Sequence, residues 1–342
     1  MKRRIGIVTR CVAFFLICSL LLSHTTGYVI RDDDESNEIH AFYSEPRDSL
    51  DVIWIGSSPL LRGVSPMVMY EKHGFTGYVR ASALQAPSVS YGLLAEALER
   101  QTPELVVLIC DNIFLEYDYA KQEGDMRRAM DGMKNSIHKF RIIAEVVAAD
   151  ERQSILSYIF PVFRYHDRWK EFEPGVTEAV KLMEHSFKKG HVYLRGGEAR
   201  AYPENFMEPS GVVAPAFNES ARNYYEKAIR LCQDKGIEVL IIHLPKMSWT
   251  YEQSRAIEDF AEEMDVIYLD LDQEVYRSQL GINPETDYYD QGHMNLRGSL
   301  KLSDWLGDYL KENYELVNHR GDFTYQIWEE DLARYKERTN VQ

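Results

Sequence analysis

Asp51–Gly63 reads DVIWIGSSPLLRG, an apolar run that stops at a glycine followed by two serines. Val52 to Ile55 are bulky, mostly β-branched and bounded by a charge and a glycine, which predicts a short buried strand. Gly56 supplies a tight exit, and Ser57 and Ser58 then fall on a strand-to-helix turn. In an α/β sheet that turn presents a side chain to the crevice at the carboxyl ends of the strands. A serine there is either a nucleophile or a helix N-cap, its hydroxyl accepting from an orphan backbone N–H. The stretch by itself leaves both open.

Outward from it the chain alternates. PLLRGVSPMVMYEKHG predicts an interrupted helix, GYVRA (Gly77 to Ala81) a strand, Leu84 to Arg100 a helix and ELVVLIC (Glu104 to Cys110) a strand covered on both faces. After residue 219 the pattern resumes. Ser220 to Lys235 is a helix, EVLIIHL (Glu238 to Leu244) a strand, Tyr251 to Met264 a helix, VIYLDL (Val266 to Leu271) a strand, and the stretch from Leu296 a helix packing back onto the sheet. Such alternation predicts an α/β fold, a parallel sheet with helices on both sides. Residues 115–219 interrupt it. Lys134 to Ala149 is a helix there, YHDRWKEF is an aromatic and basic cluster, and Gly190 to Gly197 and Pro203 to Pro215 are loops, so this is an insertion over the sheet. Residues 320–342 predict a surface helix around Trp328.

The first thirty residues have their own character. Lys2, Arg3, Arg4 and Arg10 precede the apolar run CVAFFLICSLLL (Cys11 to Leu22), and SHTTGYVI then leads into RDDDES. That order is a secretory signal or a signal anchor, and it places the body outside the cytoplasm. No small-x-small site follows, and the apolar stretch to Ile30 is long enough for a short span, which favours an uncleaved anchor. Residues 31–50 predict a polar tether. Of the four cysteines only Cys110 and Cys232 lie beyond this segment, too few for a disulfide framework, and both predict core residues. The chain carries a net charge of −15, which argues against nucleic acid as a partner.

Acyl transfer by a serine needs a base to take its proton, and a carboxylate to orient that base. Asp290-Gln291-Gly292-His293 offers both on one turn, at the far end of the alternation that began with Ser58. Each residue also has a plainer role open to it. His293 is placed to bond a backbone group at a helix start, and Asn112 to satisfy a turn. His166, Arg168 and Trp169 would line a glycan site or simply pack an aromatic beside a solvated arginine. No histidine pair has zinc-ligand spacing, so neither metal nor cofactor is expected.

A GxS near the start, an asparagine after the third strand and D-x-x-H before a late helix resemble the SGNH or GDSL hydrolase superfamily. The resemblance covers about residues 50–315 and is closest to membrane-anchored, extracytoplasmic bacterial members that act on envelope polymers. Those include proteins of teichoic acid D-alanine transfer and of alginate O-acetylation. It implies a three-layer α/β/α sandwich of flavodoxin-like topology over residues 51–319, with the insertion at about 115–219. It implies Ser58 as nucleophile, with Ser57 in place of the usual aspartate, His293 as base and Asp290 as its orienting acid. Asn112 then matches the oxyanion-hole asparagine. The family's second-block glycine is missing from residues 80–85, which leaves the backbone near Ala81 or Ser82 to donate instead. The function implied is an esterase or O-acyltransferase on a cell-envelope polysaccharide or a small acyl ester, alongside a membrane O-acyltransferase partner. The missing glycine also fits an inactive polymer-binding or scaffold subunit.

Overall fold

The computed structural model describes residues 2–29, 33–149, 153–171 and 185–340, except the side chains of 2–6, 27–29, 149, 169 and 171. The strands are β1 (Val52–Gly56), β2 (Gly77–Ala81), β3 (Leu105–Leu108), β4 (Glu238–His243) and β5 (Ile267–Asp270). They form one parallel sheet in the order β2-β1-β3-β4-β5. The register sets Ile55 of β1 opposite Arg80 of β2 and Leu108 of β3. Along the strands the side chains alternate between two cores. Ile53, Ile55, Val106, Leu108, Val239 and Ile241 face one, and Val52, Trp54, Leu105, Val107, Leu240 and Ile242 the other. Because both faces are covered, the strands read as continuous apolar runs.

Between the strands and after them run the helices. An apolar helix, α1 (Lys2–Val29), and a short one, α2 (Asp34–Ala41), precede the sheet. Next come α3 (Ser58–Gly63), α4 (Pro66–His73) and α5 (Pro87–Ala97). Val64 and Ser65 separate α3 from α4, and Pro66 starts the new helix at the one position where its missing N–H is not needed. The insertion supplies α6 (Glu123–Met130), α7 (Ile137–Ala149), α8 (Ile155–Ile159) and α9 (Val162–Tyr165). The chain closes with α10 (Glu219–Gln233), α11 (Tyr251–Glu263), α12 (Glu274–Arg277), α13 (Leu296–Asn313) and α14 (Gln326–Thr339). One core takes α5, α7, α10 and α11 through Leu93, Ile142, Ile229 and Phe260. The other takes α3 and α13 through Leu60, Leu61, Leu302 and Leu306. The result is the expected three-layer α/β/α sandwich. Cys110 and Cys232 are buried core residues, as expected.

Two segments differ from expectation. The stretch expected as a tether holds α2, whose Glu35, Ser36 and Glu38 are each 1–3% exposed. The helix around Trp328 exposes one face, as a surface helix does, but is anchored by the other, since Trp328 is 1% exposed and packs on Tyr70 of α4 with ring centroids 5.1 Å apart. Within α1, Ile7–Thr26 is long and apolar enough to cross a membrane, and none of it is buried.

Candidate active site

In this strand order the chain leaves β1 for β2 on one side and returns past β1 to β3 on the other. The carboxyl ends of β1 and β3 therefore flank the switch-point crevice where doubly wound sheets bind ligands. Gly56 ends β1 against that crevice. A Cβ there would lie 2.9 Å from Ile109 Cβ and 3.2 Å from Leu60 Cδ2, so the chain passes β3 only without a side chain. Ser57 is the N-cap of α3 by its backbone, its carbonyl accepting from Leu60 and Leu61 N–H. Its hydroxyl makes no capping bond. Ser58 follows as the first helical residue, half-buried.

At the other end of the fold, Asp290–His293 is a tight turn. Asp290 Oδ1 accepts the Gly292 N–H at 2.8 Å, and the flanking Tyr288 and Met294 form an antiparallel bridge. His293 Nδ1 lies 2.9 Å from both Asp290 oxygens, and His293 Nε2 lies 2.8 Å from Ser58 Oγ. The serine, the imidazole and the carboxylate thus share one hydrogen-bonded line, the arrangement that nucleophilic catalysis by serine requires. Burial works to raise the Asp290 pKa, but the bonds from His293 and from Gly292 N–H hold its carboxyl below the usual range. It therefore stays an acceptor-only anion near neutral pH, able to keep the ring proton on Nδ1 and the lone pair of Nε2 toward Ser58.

The turn is held by residues that carry no motif. Asn295 caps α13, its Oδ1 accepting from Gly298 N–H at 3.2 Å, while its Nδ2 donates to the Gly196 and Thr286 carbonyls at 2.8 Å. Asp287, fully buried, pairs with Lys301 at 2.6 Å. Leu296 N–H donates to Leu194 O at 2.7 Å, and Met247 N–H to Gln291 O at 2.9 Å. An asparagine directly before an amphipathic helix is a cap signal, so Asn295 was open to detection in the sequence. The clamps from residues 194–196 and 247 had no local signal.

Asn112 sits in the 3-10 turn Asp111–Phe114 beyond β3, and its Nδ2 donates to Gln85 O at 2.9 Å, joining the turns that follow β2 and β3. One N–H of its amide is thereby occupied, and an amide has two. Ser82 is fully buried, with its hydroxyl on Gln85 Oε1 at 3.1 Å. The neighbouring Ala83 N–H donates to Glu35 Oε2 at 2.7 Å, and Glu35 also pairs with Arg62 of α3 at 2.9 Å. Burial pushes the Glu35 carboxyl upward, against the pull of that N–H and of Arg62 and Arg128.

His166 and Arg168 are not gathered to this line. His166 bonds Phe163 O at 3.1 Å and faces Asp167 at 3.7 Å, on a 3-10 turn that packs against α1 and α9. The Trp169 side chain lies outside the described residues. His243, Asp270 and Asp272 each offer one ligand-type atom within 4.8 Å of the others, although both His243 nitrogens already face carboxylates.

No family model matches the chain, and no curated protein matches it. Among solved structures, one from Bacteroides fragilis NCTC 9343 is provisionally described as an acylhydrolase. It aligns with a TM-score of 0.37 at 11% identity, over 82% of this chain and 99% of its own, a likeness too distant to show family or activity.

Proposed function

We propose that the chain is a serine esterase or O-acyltransferase of the SGNH type, working outside the cytoplasm on acyl esters of a cell-envelope polysaccharide. The observation that carries this is the continuous line Ser58 Oγ, His293 Nε2, His293 Nδ1 and Asp290, with spacings of 2.8 and 2.9 Å, at the carboxyl end of β1. Ser58 Oγ attacks the ester carbonyl while its proton passes to His293 Nε2, and Asp290 holds the resulting imidazolium. The C–O bond of the tetrahedral intermediate then breaks, and the departing alcohol takes the proton from His293. Water or a sugar hydroxyl repeats the sequence on the acyl-enzyme. The second amide N–H of Asn112 and the backbone N–H of Ser58 are the donors assigned to the developing oxyanion. The apolar α1 is the feature assigned to anchoring, with a membrane O-acyltransferase as the partner that supplies or receives acyl groups.

A second reading, a polymer-binding subunit without chemistry, draws on the loop after β2, where Ala83 N–H is already bound to Glu35. One experiment separates the two. The detergent-solubilised full chain is treated with a fluorophosphonate probe and with p-nitrophenyl acetate, beside Ser58→Ala. The catalytic reading expects covalent labelling and turnover that the substitution abolishes, and equal reactivity of the two proteins removes it.

A further inference from the structure

His243 ends β4 at 0% exposure with a carboxylate on each ring nitrogen. Its Nδ1 lies 2.9 Å from Asp111 Oδ1 and its Nε2 3.1 Å from Asp272 Oδ2, and the ring stacks on Trp249 with centroids 4.1 Å apart. Asp111 is 8% exposed and Asp272 0%. A neutral imidazole has one N–H and one lone pair, so it can donate to only one of two carboxylates and would turn a lone pair on the other. With both acids ionised only the imidazolium satisfies both, and a carboxylate left unpaired at this depth is costly. The remaining oxygens, Asp111 Oδ2 and Asp272 Oδ1, find no hydrogen-bond partner among the described residues, so the two acids depend heavily on this one cation.

Each acid leads to a part of the site. Asp111 opens the turn that presents Asn112. Asp272 Oδ2 also accepts Lys246 N–H at 2.9 Å, and the next residue, Met247, donates its N–H to Gln291 O between Asp290 and His293. A hydrogen-bonded path thus runs from the Asn112 turn through Asp111, His243, Asp272 and the Lys246–Met247 backbone to the Asp290–His293 turn. We infer that His243, as a buried cation between Asp111 and Asp272, is a positioning residue that holds Asn112 and the Asp290–His293 turn in mutual register. The inference rests on the serine reading for its effect on rate, but not for its effect on geometry.

The test has two arms on the full chain. In the first, second-order rates of fluorophosphonate labelling are compared for wild type, His243→Gln, Asn112→Ala and the double variant, with a melting curve for each. His243→Gln is expected to label at least tenfold more slowly while still melting cooperatively. In the Asn112→Ala background it should cost less than threefold more, because much of its effect passes through Asn112. A wild-type rate in His243→Gln, or full multiplication of the two losses, overturns the inference. Should His243→Gln fail to fold, His243→Gln/Asp111→Asn removes one cation with one anion and takes its place. In the second arm, asparagine-¹⁵N labelling follows the Asn112 side-chain amide, which is expected to shift and exchange faster in the variant. An unchanged amide overturns the inference even in a protein that never labels, whereas an inert wild type with a shifted amide removes the serine reading alone. A stoichiometric divalent metal in the purified protein also overturns it, since the cation would then not be the imidazolium.

Discussion

Asp290→Asn changes one atom type at the most demanding contact of the site. Both Asp290 oxygens lie 2.9 Å from His293 Nδ1, and Oδ1 also accepts the Gly292 N–H at 2.8 Å. An asparagine has one accepting oxygen and one donating NH₂. Gly292 N–H needs the oxygen, so the NH₂ turns toward His293 Nδ1. A ring nitrogen facing a donor must carry the lone pair, which moves the ring proton to Nε2. Nε2 then donates to Ser58 Oγ where it previously accepted, and the base is lost with almost no atom displaced. A tautomer inversion of this kind costs about 10⁴ in rate, or roughly 5 kcal/mol of barrier. The cost to folding is far smaller, because the Asp290 side chain is 42% exposed and a polar contact so solvated is worth about 1 kcal/mol at most. Fluorophosphonate labelling should therefore fall by about three to four decades while the melting temperature drops by no more than about 4 °C. An Asp290→Asn protein that keeps more than a tenth of the wild-type labelling rate refutes the reasoning.

Gly56→Ala places a Cβ 2.9 Å from Ile109 Cβ and 3.2 Å from Leu60 Cδ2, so β1 and β3 must part. A loss of about 1–3 kcal/mol by denaturant titration is expected, with slowed labelling of Ser58, and unchanged values for both contradict the close-approach argument. Trp328→Ala removes a side chain 1% exposed, tilted against the Tyr70 ring and under Lys189 Nζ at 4.5 Å, and should cost about 3–5 kcal/mol. A loss below about 1 kcal/mol would contradict the anchoring of α14 through its buried face. Burial alone would push the His243 pKa down, but Asp111 and Asp272 push it up to about 10 from an ordinary 6.5, with Asp270 adding to them. Since the folded state holds the proton longer, this contribution is fully present below pH 6.5 and is lost as the pH rises toward 10. Urea titrations across that window should show wild type losing stability relative to His243→Gln by on the order of 1 kcal/mol per pH unit, and parallel curves exclude the cation.

What was legible in the sequence follows from how locally each feature is determined. The central strands β1, β3 and β4 announce themselves because a parallel strand buried on both faces is a short apolar run, and β2 runs from Gly77 to Ala81 as the residues predict. The Asp290–His293 contact was legible because both partners lie on one turn, and its meeting with Ser58 because the alternation predicts a parallel sheet. His243 stayed hidden for the opposite reason. Inside EVLIIHL it looks like one more strand residue, and its two acids arrive from 132 and 29 positions away.

The polar segments that form α2 and α14 hide their burial for a related physical reason. Hydropathy marks Glu35, Glu38 and Asp331 as solvent-facing, yet each is buried because a distant cation meets it. Glu38 pairs with Lys188 at 3.0 Å and accepts the Gly190 N–H at 3.0 Å. Asp331 pairs with Lys189 and His185, both at 2.8 Å, and the His185 bond and the Lys189 cation hold its carboxyl low despite burial. α2 and α14 therefore both close on residues 185–190, within the insertion. Gly190 itself passes β2 so closely that a Cβ would lie 2.0 Å from Val79 O, at a φ of +90° that favours glycine. From that anchored point the chain runs on to Leu194, whose carbonyl accepts from Leu296 N–H, and to Gly196, which takes the Asn295 amide. The insertion thus does more than cover the sheet, since residues 185–196 tie α2 and α14 to the turn that carries His293. Loosening those buried ion pairs should disturb the approach of His293 to Ser58 without touching either residue.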